Sequence, residues 1–328
     1  MLAAWYNKFG LAEKGLKIGE FDEPVPKVGE VKVRVFFSAV NPSDTKKRLG
    51  SNPLALDQGP IIPHSDGAGE IIDVGNDELK DRIGERVWLY EAQHNRNFGT
   101  SAEFICLPSI NAVRLPKNTN YDVGSMMGIP AITAHRCVHN GGRIENRYVL
   151  ITGGAGRVGN YAIQWAKQAG AVVITTASNS KSINQCQNAG ADLVLEHPSK
   201  LFVDQVMDYT NGQKIDKIID GDFGVNLNYL LAVIKPNCEI VTFASMSEMH
   251  PKIPFYKMMN ANLNLKMVFV YDIPPEAKIN AINDITVALK KESLINRLSY
   301  KYELKDISNA HIKIESSTTT QGVILLSI

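Results

Sequence analysis

One stretch constrains this chain more than any other. Tyr148-Val149-Leu150-Ile151-Thr152-Gly153-Gly154-Ala155-Gly156-Arg157-Val158-Gly159 sets an apolar strand, a glycine-rich turn and the start of a helix in immediate succession. Backbone N–H groups at the beginning of a helix, with no Cβ in the way, form a ready site for a pyrophosphate. In this segment Gly153 and Gly156 supply the turn and the close approach, and Gly159 lets the helix pack against the strand. The spacing is GxxGxxG with an additional Gly154, a departure from the GxGxxG fingerprint, so the strand, loop and helix order carries more weight than the glycines. Gly153, Gly154, Ala155, Gly156, Arg157, Val158 and Gly159 are therefore assigned to a bound dinucleotide.

The next strand, ending Thr175-Thr176-Ala177-Ser178, selects between the two nicotinamide cofactors. An NAD-specific site places an acidic residue there for the ribose hydroxyls. Here none is present: Ser178 lies 19 residues after Gly159 and is followed by Asn179, Ser180 and Lys181. Small polar groups and one cation suit a 2′-phosphate, so Ser178 and Lys181 point to NADPH. The same residues also read as a helix cap with a solvated lysine, and the two readings are compatible.

A chain of 328 residues exceeds the size of one hydrophobic core, so two domains are expected. Before residue 120, short β-rich runs such as 31–37 and 69–74 alternate with Pro, Gly and Asn clusters, as in an irregular, mostly antiparallel β domain. From Tyr121 onward, apolar strands alternate with helix-length segments, the mark of βαβ units. The strands are read as 148–152, 171–176, 193–195, 215–219, 239–243 and 263–271. One amphipathic helix follows over 276–291, then a short strand at 322–326 that is expected to rejoin the first domain. The fold class is α/β, with a doubly wound Rossmann sheet (residues 123–272) inserted in a β-rich substrate domain (1–122 and 273–328). The turns Asp222-Phe223-Gly224 and Phe243-Ala244-Ser245 follow the fourth and fifth strands, at the carboxyl edge where such sheets bind ligands, so Phe223, Phe243, Ala244 and Ser245 are assigned to the cofactor.

Composition excludes several classes. Thirty-five Lys and Arg balance 34 Asp and Glu, a formal charge of +1, so no global field draws nucleic acid or an anionic membrane. No segment approaches the roughly 20 apolar residues of a membrane span. The amino terminus shows no basic region followed by an apolar stretch, and Cys106, Cys137, Cys186 and Cys238 are scattered without a CxxC pair. Together these predict a cytoplasmic protein with neither a disulfide framework nor a zinc ribbon. His135 and His139 stand four apart, but Arg136 replaces the glutamate of HExxH. They are read as helix-surface or core histidines, and no metal is assigned.

Six segments in order carry a resemblance: 40–44 (Val-Asn-Pro-Ser-Asp), 63–71 (Pro-His-Ser-Asp-Gly-Ala-Gly-Glu-Ile), 84–87, 99–104, 128–134 and the glycine loop. The chain resembles the zinc-independent NADPH:quinone oxidoreductase (zeta-crystallin-like) branch of the medium-chain dehydrogenase/reductase superfamily. The resemblance implies a GroES-like catalytic domain made from both chain ends, a Rossmann domain between them and a cofactor cleft where they meet. It also implies a homodimer through the edge strand 263–271. Relatives that use zinc have Cys at position 41 and a His-Glu pair at 65–66; this chain has Asn41, Ser65 and Asp66 and lacks the four-cysteine lobe after Tyr90. His64 stands where relatives have Gly.

By the same resemblance Asn41 donates a hydrogen bond near the substrate carbonyl or nicotinamide ribose, and Thr133 lies against the nicotinamide. A turn before Pro42 and a helix N-cap are their structural alternatives. Lys46 replaces a Tyr of several relatives and is read as an anion-binding group. Tyr90 is placed at the cleft mouth, His197 near the adenosine phosphate or on the surface at a strand end, and Phe269, Val270 and Tyr271 over the nicotinamide, with core or dimer packing an equal reading of the last three. The implied chemistry is hydride transfer from NADPH to a quinone. Two alternatives stand beside it: reduction of an enone or alkenal double bond, and an NADPH-binding, crystallin-like or RNA-associated protein with little turnover.

Overall fold

Alternation of apolar and polar residues along Glu30–Val40 forms an 11-residue strand whose Val31, Val33 and Val35 turn into a core. The computed structural model in which it appears describes every residue except 197, 198, 200 and 317–320. The chain divides into two compact units, residues 1–129 with 282–328, and residues 130–281. The sequence places those junctions at 122/123 and 272/273. Contacts carry the second into the helix Pro275–Lys290, a continuous element that no composition break marks.

In the first unit, β1 (Leu2–Trp5) and β2 (Lys17–Glu20) form a small antiparallel pair. The long strand is β3, and it is followed by β4 (Asp66–Val74), β5 (Arg86–Leu89), β6 (Phe104–Pro108) and β7 (Ala112–Arg114). β3 pairs antiparallel with both β4 and β6. Val31, Val33, Val35, Ile71, Val87, Leu89, Ile105 and Leu107 close one core between them.

The second unit begins with β8 (Tyr148–Ile151), β9 (Val172–Ala177), β10 (Leu193–Glu196), β11 (Ile215–Asp220), β12 (Ile234–Thr242) and β13 (Asn264–Met267). All pair in parallel, in the order β10-β9-β8-β11-β12-β13. This is the 3-2-1-4-5-6 order of the dinucleotide-binding fold, with its switch point between β8 and β11. Leu150, Ile174, Ile218 and Ile240 face the helices Phe202–Tyr209 and Phe223–Val233 in one apolar cluster. Near-continuous apolar runs are what a parallel sheet covered on its faces requires.

Two strands depart from the sequence reading. β12 starts at Ile234, not 239, because Pro236 and Asn237 (φ +64) form an irregularity inside the strand. β13 ends at Met267, after which Val270–Asp272 make a 3-10 turn, so the apolar run 268–271 is not strand. The chain then returns to the first unit through β14 (Leu298–Glu303) and β15 (Val323–Ser327), with Ile324 opposite Val40 on β3.

Candidate functional site

The second unit builds its site from main-chain groups. Gly153 holds φ +62 with open space where a Cβ would stand, and its N–H donates to Thr176 Oγ1 at 2.9 Å. A Cβ on Gly154 would lie 2.2 Å from Thr175 Oγ1, and one on Gly159 would lie 2.4 Å from the Gly153 carbonyl oxygen. The extra Gly154 thus seats the loop on β9. Gly159 packs against the loop itself, which corrects the expectation that it would meet the strand. Gly156 caps the 12-residue helix Arg157–Gln168, with Arg157 and Val158 in its first turn and Ala155 buried just before it. The main-chain N–H groups of that turn and the helix dipole favour an anion there.

At the switch point, side chains lock the carboxyl ends of three strands. Thr152 Oγ1 donates to Asp220 Oδ1 at 2.7 Å and accepts from the Gly221 N–H at 3.1 Å. Asn226 Nδ2 and the Asp222 N–H also donate to the buried Asp220 carboxylate. Burial raises the Asp220 pKa, opposed by those hydrogen bonds. The Phe223 N–H donates to the Ala244 carbonyl at 2.9 Å and the Gly224 N–H to Ser245 Oγ at 2.9 Å, while the Phe243 ring lies over Gly221. Phe223, Phe243, Ala244 and Ser245, assigned from sequence, therefore gather at one edge.

Ser178 follows β9 directly and is exposed, as is Lys181. Asn179 caps the helix Ser180–Asn188 by accepting from the Ser182 N–H at 3.0 Å, so the capping reading of this segment holds. His197 lies outside the described residues. Phe269 is exposed, whereas Val270 and Tyr271 are buried. Thr133 is buried one residue inside the helix Ile132–His139, whose N-cap is Ala131, so it does not cap. His135 is buried and His139 exposed on the same helix, their rings 4.2 Å apart.

The first unit builds its site from side chains. Asn41 precedes the helix Pro42–Arg48, and its N–H donates to Asp44 Oδ2 at 2.8 Å, the reciprocal half of a capping box. Its side chain also reaches across to β4, where Nδ2 donates to Asp66 Oδ2 at 2.8 Å. The Ile129 N–H donates to the same oxygen at 2.8 Å, while Asp66 Oδ1 has no hydrogen-bond partner among the described residues. A Cβ on Gly128 would stand 2.0 Å from Oδ1, so only glycine fits there. Asp66 is fully buried; burial and the neighbouring Asp44 and Glu91 carboxylates hold its pKa well above the ordinary carboxylate range, against the hydrogen bonds from Ile129 and Asn41.

Sequence reasoning passed over Asp66 as a partner of Asn41, although both stand in quoted motifs. Lys46 is half-buried on the helix, and the adjacent Lys47 donates through Nζ to Gln93 Oε1 at 2.9 Å. Burial lowers the Lys47 pKa, and the Asp44 and Asp66 carboxylates oppose it. Tyr90, placed by the sequence reading at the cleft mouth, is buried within the first unit: it is 3% exposed, its hydroxyl donates to the Ile110 carbonyl at 3.2 Å, and burial pushes its pKa up to about 12.

Residues 27–117 match the family model described as an alcohol dehydrogenase GroES-like domain, and residues 158–286 that of a zinc-binding dehydrogenase. A zinc-type alcohol dehydrogenase-like protein of Staphylococcus aureus (strain MSSA476) is 30% identical over 253 residues, 73% of this chain and 72% of the relative. A quinone oxidoreductase of Pongo abelii is 26% identical over 309 residues, 92% of this chain and 90% of its own. Among solved structures, that of a mycobacterial protein complexed with NADPH matches with a TM-score of 0.88 at 25% identity, over 100% of both chains.

Proposed function

Given that this chain belongs to the medium-chain dehydrogenase/reductase superfamily, we propose that it is an NADPH-dependent reductase that delivers hydride to a quinone without zinc. It is an oxidoreductase of this superfamily; the cofactor preference, the acceptor and the independence from zinc are the proposal. The donor set around Asn41 carries it. Catalytic zinc takes thiolate, imidazole or carboxylate ligands. Position 41 holds an amide already bonded to Asp66, position 65 an alcohol, and position 66 a carboxyl that burial biases toward its neutral form. That set suits hydrogen bonding better than metal binding. The zinc in the descriptions of the relative and of the family model belongs to those proteins.

The residues of the second unit fit a phosphorylated dinucleotide. The open space at Gly153 and the helix start at Gly156 suit a pyrophosphate, and Ser178 and Lys181 suit a 2′-phosphate, the end of β9 itself carrying no acid although Glu196 lies beside Ala177 on β10. When bound, the reduced nicotinamide supplies the hydride. Asn41 gives one Nδ2 hydrogen to Asp66 and has the second for an acceptor oxygen, which it would orient and stabilise as charge develops.

A homodimer through β13 is part of the reading. The strand is an edge of its sheet, and Met267, Phe269, Phe255 and Tyr256 beside it in sequence are exposed. Light scattering that returns only the monomer mass would remove this part. The membrane expectation rests on one fact: no helix among the described residues is long and apolar enough to cross a bilayer.

The test is steady-state oxidation of NADPH against ortho-quinones, para-quinones, conjugated enones and saturated ketones. Quinones should be the best acceptors. Preference for enones would replace the quinone reading by double-bond reduction, and tight NADPH binding with no turnover would favour a binding protein.

A further inference from the structure

An unbroken line of buried side chains ends on the main-chain carbonyl of Asp66. Arg48 Nε stands 3.3 Å from His311 Nδ1, His311 Nε2 stands 2.9 Å from His64 Nε2, and His64 Nδ1 stands 2.8 Å from Ser38 Oγ. Ser38 Oγ is 2.7 Å from Thr100 Oγ1, which donates to the Asp66 main-chain carbonyl at 2.7 Å. All five side chains are fully buried. Arg48 is fixed in turn by the Gly10 carbonyl and the Glu315 carboxylate, which matches its charge.

Counting protons gives every bond a direction. The Asp66 carbonyl only accepts, so the one Thr100 hydroxyl hydrogen goes there and Thr100 must accept from Ser38. Ser38 must then accept from Nδ1–H of His64. Burial keeps both imidazoles neutral, so the bare Nε2 of His64 accepts from Nε2–H of His311. His311 is left with a bare Nδ1, which is what a guanidinium, a donor only, requires. The polarity imposed from the carbonyl end therefore agrees with that imposed from the guanidinium end. A peptide carbonyl is no base and an arginine does not deprotonate, so this line orients groups and conducts no proton.

The backbone gives up a favourable conformation to make it. His64 sits at φ +78, a region that a side chain with a Cβ enters at a cost. The ring it places there makes two of the five bonds.

We infer that this line is a positioning device for the Asn41–Asp66 pair. By holding the Asp66 peptide, Thr100, Ser38, His64 and His311 set where the carboxyl receives the Asn41 amide, and so where the second amide hydrogen points. They are positioning residues, and the inference rests on the reductase reading.

Thr100→Val keeps the side-chain shape and removes the hydroxyl; Thr100→Ser returns it. In the valine variant kcat should fall by about tenfold, less than the roughly hundredfold or more that removing a donor outright costs, with the NADPH Kd unchanged. The serine variant should recover kcat, and Ser38→Ala should fall between. A second readout needs no turnover. In nitrogen-15 spectra of the full chain, His64 should be the Nδ1–H tautomer and His311 the Nε2–H tautomer. The Asn41 side-chain amide resonance, assigned by its loss in Asn41→Asp, should move in Thr100→Val and return in Thr100→Ser. An unmoved amide resonance together with unchanged kcat in Thr100→Val and Ser38→Ala would overturn the inference and leave the line a staple of the fold. Should the wild-type chain reduce neither quinones nor enones, the reductase reading fails, and the amide resonance alone decides the positioning: movement upholds it and constancy rejects it.

Discussion

The dinucleotide loop and the Asn41 corner are made of different materials. The loop is main chain from a dozen consecutive residues, shaped by what glycines permit and anchored to β9 by Gly153 and Gly154. The corner is made of side chains that meet across 25 residues (Asn41 with Asp66) and 247 residues (His64 with His311), with one main-chain N–H, that of Ile129, reaching Asp66 across 63. A main-chain site tolerates many side chains but no Cβ at its closest approaches, Gly154 and Gly159. A side-chain site tolerates backbone variation but depends on each proton being in place. Damage to the first should therefore appear in cofactor affinity, and damage to the second in turnover and acid sensitivity.

The hardest test of that division is Gly159→Ala. The new methyl must push on the Gly153 carbonyl, 2.4 Å away, so the NADPH Kd should rise by about a hundredfold or more, on the order of 3 kcal/mol. Cofactor fluorescence titration measures it, and unchanged affinity would remove the loop from the site.

Gly128→Ala is the matching lesion in the corner, where the methyl would meet Asp66 Oδ1. Displacing Asp66 and hence Asn41 should cut kcat by on the order of a hundredfold with the NADPH Kd intact. An equal loss of cofactor affinity would break the comparison.

Acid should act on the corner next. Burial holds both imidazoles below the ordinary histidine value, His64 at about 3. Their folded pKa values are depressed, so the stability they confer is present above about pH 6.5 and is lost as pH falls, with a slope that approaches about 1.4 kcal/mol per pH unit for each ring. Asp66 and Asp220 run the other way: their raised values add stability as pH falls, equally in wild type and variant. Urea unfolding of His311→Asn should thus lose stability less steeply between about pH 6.5 and 5, by about 1 kcal/mol per unit. Parallel slopes would show that His311 is not held neutral.

Lys181→Ala should have the smallest effect. Removing one exposed cation should weaken NADPH by about tenfold, near 1.4 kcal/mol, and leave NADH unchanged. Equal losses for both cofactors would place Lys181 away from the 2′-phosphate.

The comparison also explains what could be read from the sequence. The strand, loop and helix order around Gly153 is local, so its position and the doubly wound parallel sheet are legible, whereas the strand order is set by pairing. The fifth strand was cut short because Pro236 and Asn237 are ordinary breakers, and only pairing with β11 carries the chain past them. The last strand was overrun because an apolar stretch does not reveal where its sheet partner ends. The contact of Asn41 with Asp44 spans three residues and is local, whereas its contact with Asp66 spans 25. The partner set of His64 was not: His311 lies in the returning segment, 247 residues on, and no local pattern joins them.

The claim at the centre is that hydride reaches its acceptor without zinc, and the most direct test combines metal content with turnover. The purified chain would be dialysed against a strong chelator, its zinc measured, and its oxidation of NADPH by an ortho-quinone compared before and after, with NADH run beside it. The account predicts no bound zinc, undiminished quinone reduction and a clear preference for NADPH. Activity that disappears with the metal and returns on adding zinc would contradict it.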